Sequence, residues 1–222
     1  MARRNGTCRL SYCTKFKRSD SPYLRYPDHN KRGEQSVKII FIRHGKTAGN
    51  LEKRYIGRTD EPLCKEGISE LECIKYPECD EVLASPMKRC QQTAKLIYPD
   101  KKITVCNDFR ECDFGDFEGK NYRELTGNPD YQHWIDSGGT AAFPNGETPS
   151  DFKKRCIAEF EKAVAGFDKK TVLALVVHGG TIMSVMEKYV YPKGGYYDFQ
   201  VSNAHGFVTE FDGEKIIITE RI

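Results

Sequence analysis

The chain has 222 residues, a net charge of +3 from 35 Lys/Arg against 32 Asp/Glu, and nine cysteines. That length suffices for one α/β domain with a full core, and no apolar run approaches a membrane span or a signal-peptide core; the cysteines form no CxxC pair and no zinc-finger spacing, so a cytoplasmic chain with free thiols is the simplest account. The charge is uneven: residues 1–37 carry nine Lys/Arg and three Asp/Glu, so the remaining residues net −3, without the basic patch a nucleic-acid surface requires.

Residues 1–36 show no sustained period and are rich in Ser, Pro, Asn and Arg, which predicts a basic disordered tail. Tyr12, Phe16, Tyr23 and Tyr26 interleave with its cations, a pattern that nucleic acid or a membrane surface could use. If translation starts at an alternative codon at Val37, the tail is not part of the protein at all. The domain itself is expected over residues 37–222.

Residues 38–42, KIIFI, predict a buried strand. It ends in Arg43, His44 and Gly45, at the strand end where α/β folds place their ligands. Gly45 is expected to turn the backbone tightly and leave room for an anion. Residues 48–61 predict a loop, with Asn50 and Arg58 available to a ligand. A short helix follows over residues 63–74, with Leu63, Leu71 and Ile74 inward and Glu66 and Glu70 on the wet side. Residues 80–84 form the second strand. Ser85 as cap and Pro86 in the first turn then predict a helix to about residue 97. Arg89 lies early in that helix, where the dipole disfavours a cation, and an anion at the strand end would supply the reason for it.

Residues 103–106 predict a third strand. The loop 108–119, DFRECDFGDFEG, carries five carboxylates alternating with Phe109, Phe114 and Phe117. A calcium loop competes with a cleft-lining reading, but the spacing does not match an EF-hand. Residues 122–135 predict a helix broken near 127–129, and residues 138–146 a loop. Thr148 and Pro149 start the longest helix, 150–166, with Phe152, Cys156, Ile157, Phe160 and Ala163 on its apolar face. Residues 172–177 repeat the design of the first strand and end in His178, Gly179 and Gly180, before a helix over 181–190. Two strands, 206–211 and 215–219, close the chain around an Asp212-Gly213 hairpin turn. Five or six strands interleaved with helices predict an α/β fold: a central mixed, mostly parallel sheet.

The chemistry-bearing set is Arg43, His44, Arg89, Glu111 and His178. Two arginines and two histidines at strand ends make a cationic pocket, and guanidinium groups read tetrahedral oxyanions well. There is no GxxxxGK[ST] loop and no carboxylate–histidine metal cluster, so no cofactor and no metal are expected. The expected ligand is a small phosphate monoester. A histidine can attack phosphorus if its other ring nitrogen is held, and a separate Glu can protonate the leaving oxygen. Plainer readings stand beside these: His178 as a satisfied core histidine, Arg58 as a solvated surface residue. His29, His133 and His205 read as structural or surface groups.

RHGKT at 43–47 with Asn50 resembles the RHGxTxxN signature of the histidine phosphatase, or phosphoglycerate-mutase-like, superfamily. SPMKRCQQTA at 85–94, FRECDFGDFEG at 109–119, GETPSDF at 146–152 and VVHGG at 176–180 resemble further family segments, in family order. The resemblance implies a three-layer sandwich with helices on both faces of the sheet. It implies that His44 is the nucleophile that becomes phosphohistidine, that Glu111 is the proton donor, and that Arg43, Arg89 and His178 hold the phosphoryl oxygens. The candidates for binding the rest of the substrate at the pocket mouth are Asn50, Arg58, Gly179, Tyr122 and the loop 138–146. Lys46 stands where the family usually has Glu, Phe117 where it has Trp, and the helix after Gly67 is short. YIGRTDEPL at 55–63 is similar to the α-ribazole phosphatase branch of cobalamin nucleotide-loop assembly. A broad-specificity sugar-phosphate or phosphoglycerate phosphatase or mutase is the alternative, and a non-catalytic phosphate-binding adaptor the outlying one. Oligomeric state is not legible.

Overall fold

The uninterrupted apolar run near the start of the domain becomes β1, Val37–Arg43, the third strand from one edge of a six-stranded sheet. The computed structural model describes residues 36–222; the tail expected before Val37 lies, except for Ser36, outside them. The order is β3-β2-β4-β1-β5-β6, where β2 is Glu81–Ala84, β3 Ile103–Val105, β4 Val172–Val177, β5 Gly206–Phe211 and β6 Ile216–Arg221. Strands β3, β2, β4 and β1 run parallel, while β5 and β6 pair antiparallel. The sheet is therefore mixed and mostly parallel.

Side chains alternate across a strand, and both faces of β1 are covered. Ile39 and Phe41 pack with Phe160 of α5, Pro149–Ala165, and with Ile182 and Met186 of α6, Gly179–Tyr189. Ile40 and Ile42 pack with Cys90 and Ala94 of α3, Lys88–Ile97. Burial on two faces explains why β1 and β4 read as continuous apolar runs. Two further core clusters lie off the sheet. One is aromatic, with Phe117, Phe143 and Phe152 at its centre and Tyr55, Phe114, Tyr131 and Trp134 at its margin. The other seats α2, Lys65–Cys73, through Leu71 and Leu63. Among the described residues no helix is long and apolar enough to cross a membrane.

Several elements depart from the sequence expectation, each for a local reason. The loop expected over 48–61 opens with a short helix, α1, Ala48–Leu51. Thr47 accepts from the Asn50 amide at 3.3 Å while Asn50 Oδ1 accepts from the Thr47 amide at 3.1 Å, which is a capping box. The helix expected from residue 122 is confined to α4, Pro129–Asp136, because Asn128-Pro129 is a start signal and not a break. Helix α3 begins at Lys88 with Met87 at the cap position and no side-chain cap, so Ser85 lies two residues before the cap, with its hydroxyl at His178. Helix α6 begins at Gly179, two residues earlier than expected: it is mostly buried, and packing overrides the low propensity of its glycines. The 150–166 helix has the expected Thr148 cap and Pro149 start, but Ile157 is only half-buried and Glu159 is buried instead.

Candidate active site

Strand register assembles the site. Arg43 is paired with Val177, and Ala84 with Val176, so the residues just past β1, β2 and β4 meet at one end of the sheet. The residues that follow are His44, Ser85 and His178. The two imidazoles meet edge to face with centroids 5.1 Å apart, and both are buried.

His44 Nδ1 lies 2.7 Å from the carbonyl oxygen of Gly45. A carbonyl only accepts, so Nδ1 carries the proton and Nε2 keeps its lone pair. Burial, then Arg89 and Arg43, hold the His44 pKa well below the usual histidine value, so the ring is neutral near pH 7. His178 is held low by burial first and by Arg89 and His44 next. Its Nε2 is 2.7 Å from Ser85 Oγ, which also accepts from the Met87 amide at 3.4 Å. A hydroxyl donating to Nε2 leaves the His178 proton on Nδ1, the side that faces Glu111 Oε2 at 4.0 Å.

The arginines are anchored by their ends. Arg43 Nη1 donates to the Val201 carbonyl at 2.8 Å. Arg89 is 1% exposed; it donates through Nη1 to Thr59 O at 2.9 Å and through Nη2 to Gly57 O at 3.0 Å. The Nε atoms of both arginines are buried and have no protein partner. A buried donor left unpaired costs about 1–3 kcal/mol, and two of them beside a pair of imidazoles suit an anion with several acceptor oxygens. The loop that receives Arg89 is itself tied down by Glu118, whose Oε1 accepts from the Gly57 and Thr59 amides, each at 2.9 Å.

Glu111 completes the group. Its Oε1 accepts from the Cys112 amide at 3.0 Å. Burial raises its pKa, against the lowering by that amide and by Arg89 and Arg43. The arrangement thus offers a neutral imidazole with a free lone pair, an anion cradle, and a carboxyl biased toward its protonated form.

The expected substrate-binding residues divide. Asn50 is at the site, but its Oδ1 is engaged by the Thr47 amide and by Asn203 Nδ2 at 3.2 Å; only its amide nitrogen is left to donate. Gly179 packs against the Arg43 guanidinium, with a Cβ there 3.4 Å from Cζ. Arg58 is largely exposed and paired with Asp113 at 3.2 Å. Tyr122 is 46% exposed and its hydroxyl and ring contact Arg123, its own neighbour, so the structure does not bring it to the site. At Gly45 a Cβ would meet Leu71 of α2 at 2.8 Å, so close packing against α2 accounts for the glycine, which the expectation of a tight turn open to an anion did not include. Lys46 does not add charge to the cradle, because its Nζ is paired with Glu70 at 3.0 Å; Glu70 is accordingly half-buried, not on the wet side. Sequence reasoning missed Ser85, Glu118, Glu147 and Arg155 as site-building residues. Ser85, Glu118 and Glu147 each lie inside a quoted segment, 85–94, 109–119 and 146–152, while Arg155 carried no signal.

Among the described residues, no group of three or more His, Cys, Asp or Glu is placed to hold a metal ion. The model of the histidine phosphatase superfamily (branch 1) matches residues 39–221. An uncharacterized phosphatase of Bacillus subtilis, PhoE, is 31% identical over 67% of this chain and 75% of its own length. The adenosylcobalamin/alpha-ribazole phosphatase of Salmonella typhimurium is 25% identical over 74% of this chain and 86% of its own length. A solved structure of a putative alpha-ribazole-5'-P phosphatase from Escherichia coli superposes with a TM-score of 0.73 over 82% of this chain and 94% of that one; at 22% identity it speaks for the fold alone.

Proposed function

The chain belongs to the histidine phosphatase superfamily and is a phosphatase; from that premise we propose that it hydrolyses a small phosphate monoester through a phosphohistidine at His44. The lone pair on His44 Nε2 attacks phosphorus as the ester P–O bond breaks, and the Glu111 carboxyl hands its proton to the leaving oxygen. Water then attacks the phosphohistidine, Glu111 takes up the water's proton, the N–P bond breaks and inorganic phosphate leaves. Arg43, Arg89, His178 and the Asn50 amide donate to the phosphoryl oxygens, so the developing charge is met by groups already in place. The observation that carries this reading is the pair of partnerless buried Nε atoms on Arg43 and Arg89, the two cations whose charge acts on His44, together with a His44 ring held at Nδ1 by a carbonyl.

Within that class, we propose a substrate with a broad planar leaving group, of the α-ribazole 5′-phosphate kind, in preference to a bisphosphate or an acidic sugar phosphate. Lys46 and Arg58, the two further cations that a second anionic group could have used, are each paired with a carboxylate. Tyr55, Phe114 and Trp134 belong to the aromatic cluster that packs with Cys112, the residue after Glu111, and Tyr55 precedes Ile56, whose carbonyl receives Arg89; that cluster is the surface we assign to the leaving group. Trp134 adds an indole Nε1 that is buried without a partner.

The test is rapid quenching with phosphorus-labelled p-nitrophenyl phosphate in excess EDTA. An acid-labile, base-stable adduct is expected in the native enzyme and is lost in His44→Ala. An adduct that persists in H44A, or that forms only when a divalent metal is restored, overturns the mechanism.

A further inference from the structure

Helix α5 carries Arg155, which faces the loop that holds Glu111. Its Nε and Nη2 form a two-pronged ion pair with Glu147 at 2.6 and 2.7 Å. The same guanidinium donates to three carbonyls of one loop: Asp108 at 2.8 Å and Arg110 at 2.7 Å through Nη1, and Glu111 at 3.0 Å through Nη2. The ion pair is nearly enclosed, with side-chain exposures of 13% and 16%.

The position of these bonds matters more than their number. The carbonyls of Arg110 and Glu111 belong to the two peptide planes that flank the Glu111 Cα. Gripping both sets its backbone angles, and with them the direction of its side chain. The carboxyl is then steadied at one oxygen by the Cys112 amide, while Oε2 is aimed at His178. A planar fork with five donors is suited to this; an ammonium, with three donors at one point, is not. The role proposed above for Glu111 demands such control, since a misplacement of about 1 Å can cost about 10²-fold in rate.

We propose that the Arg155–Glu147 pair is a clasp that positions Glu111 for proton transfer, so that both are positioning residues of the phosphatase reaction. The inference rests on the general-acid reading of Glu111. It requires that loss of the clasp mimic loss of the acid: severe for leaving groups that need a proton, mild for those that do not.

The experiment compares kcat/KM, which reports the phosphorylation step and not the hydrolysis of the phosphohistidine that both esters share, on glycerol 2-phosphate and on p-nitrophenyl phosphate for the native enzyme, Arg155→Lys, Glu111→Gln and the double variant. The expected R155K loss is about 10²-fold on the alkyl ester and several times smaller on the aryl ester. In the E111Q background R155K should cost almost nothing further, because the two act as a unit. Equal losses on both esters, or fully additive losses, overturn the proposal and leave Arg155 a purely structural residue. If R155K fails to fold, E147Q, which keeps the side-chain volume, carries the same comparison. If E111Q itself shows no leaving-group contrast, the acid reading falls, and the clasp is judged by hydrogen exchange. The Cys112 amide should lose protection in R155K; retained protection overturns the clasp independently of activity.

Discussion

At the residue scale the proposed chemistry turns on two groups pushed in opposite directions by the same burial. Desolvation disfavours the charged form, so it lowers His44 and raises Glu111. Both shifts favour the forward step, which needs a neutral nucleophile and a protonated acid. The sign for kcat/KM follows. Activity is lost on the acid side only when His44 protonates, well below its usual 6.5, and on the alkaline side when Glu111 loses its proton, above its usual 4.5. Profiles of native enzyme and E111Q on glycerol 2-phosphate check this. The variant should lose most of its rate, keep the acid limb and lose the alkaline one; substrate ionisation is common to both and drops out. An alkaline limb that survives in E111Q would assign it to another group. Much of this was legible in sequence. Arg43, His44, Arg89, Glu111 and His178 each sit in a recognisable motif. Ser85 was misread, because a serine before a proline looks like a helix cap, and nothing local says that its hydroxyl will reach a histidine 93 positions away.

At the element scale the anion cradle depends on a loop with almost no room to move. The carbonyls of residues 56–59 hold Arg89, and Glu118 holds the loop. Gly57 is pressed so closely on the next segment that a Cβ would lie 1.9 Å from the Cys112 carbonyl oxygen. Gly57→Ala should therefore destabilise the fold by about 1–3 kcal/mol, as overpacking does. It should also shift the carbonyls that anchor Arg89. Inhibition by inorganic phosphate is expected to weaken about tenfold, the equivalent of about 1.4 kcal/mol. Urea melts and a phosphate inhibition constant measure the two effects. Unchanged phosphate affinity in a destabilised variant would separate the loop from the cradle. The strands around the site were readable from their apolar runs; this loop was not, because its order comes from side-chain bonds to a glutamate about sixty residues on.

At the scale of the whole molecule the question is where charge and aromatic surface fall around the mouth. With Lys46 paired to Glu70 and Arg58 to Asp113, a second anionic group on the substrate has no unpaired partner there among those two. A kcat/KM panel of α-ribazole 5′-phosphate, 3-phosphoglycerate, fructose 1,6-bisphosphate, a nucleoside monophosphate and phosphotyrosine should favour the first by at least about a hundredfold, about 2.7 kcal/mol of transition-state discrimination. A flat panel, or a preference for the acidic sugar phosphates, removes the narrow substrate and leaves the phosphatase reading intact. The sequence by itself determined the order of the elements, the mixed sheet and the two strands that each end in a histidine. Those features follow from apolar runs, caps such as Thr148-Pro149 and turns such as Asp212-Gly213, all encoded within a few residues. Only the tertiary structure decided which polar atoms remain for a ligand. It spent Asn50 Oδ1 and Lys46 on internal partners, tied Arg58 to Asp113, left the Nε atoms of Arg43 and Arg89 unpaired, and closed Arg155 on the Glu111 loop. A hydrogen bond is a property of two groups, and here the second group comes from another part of the chain, brought near by packing that local sequence does not encode.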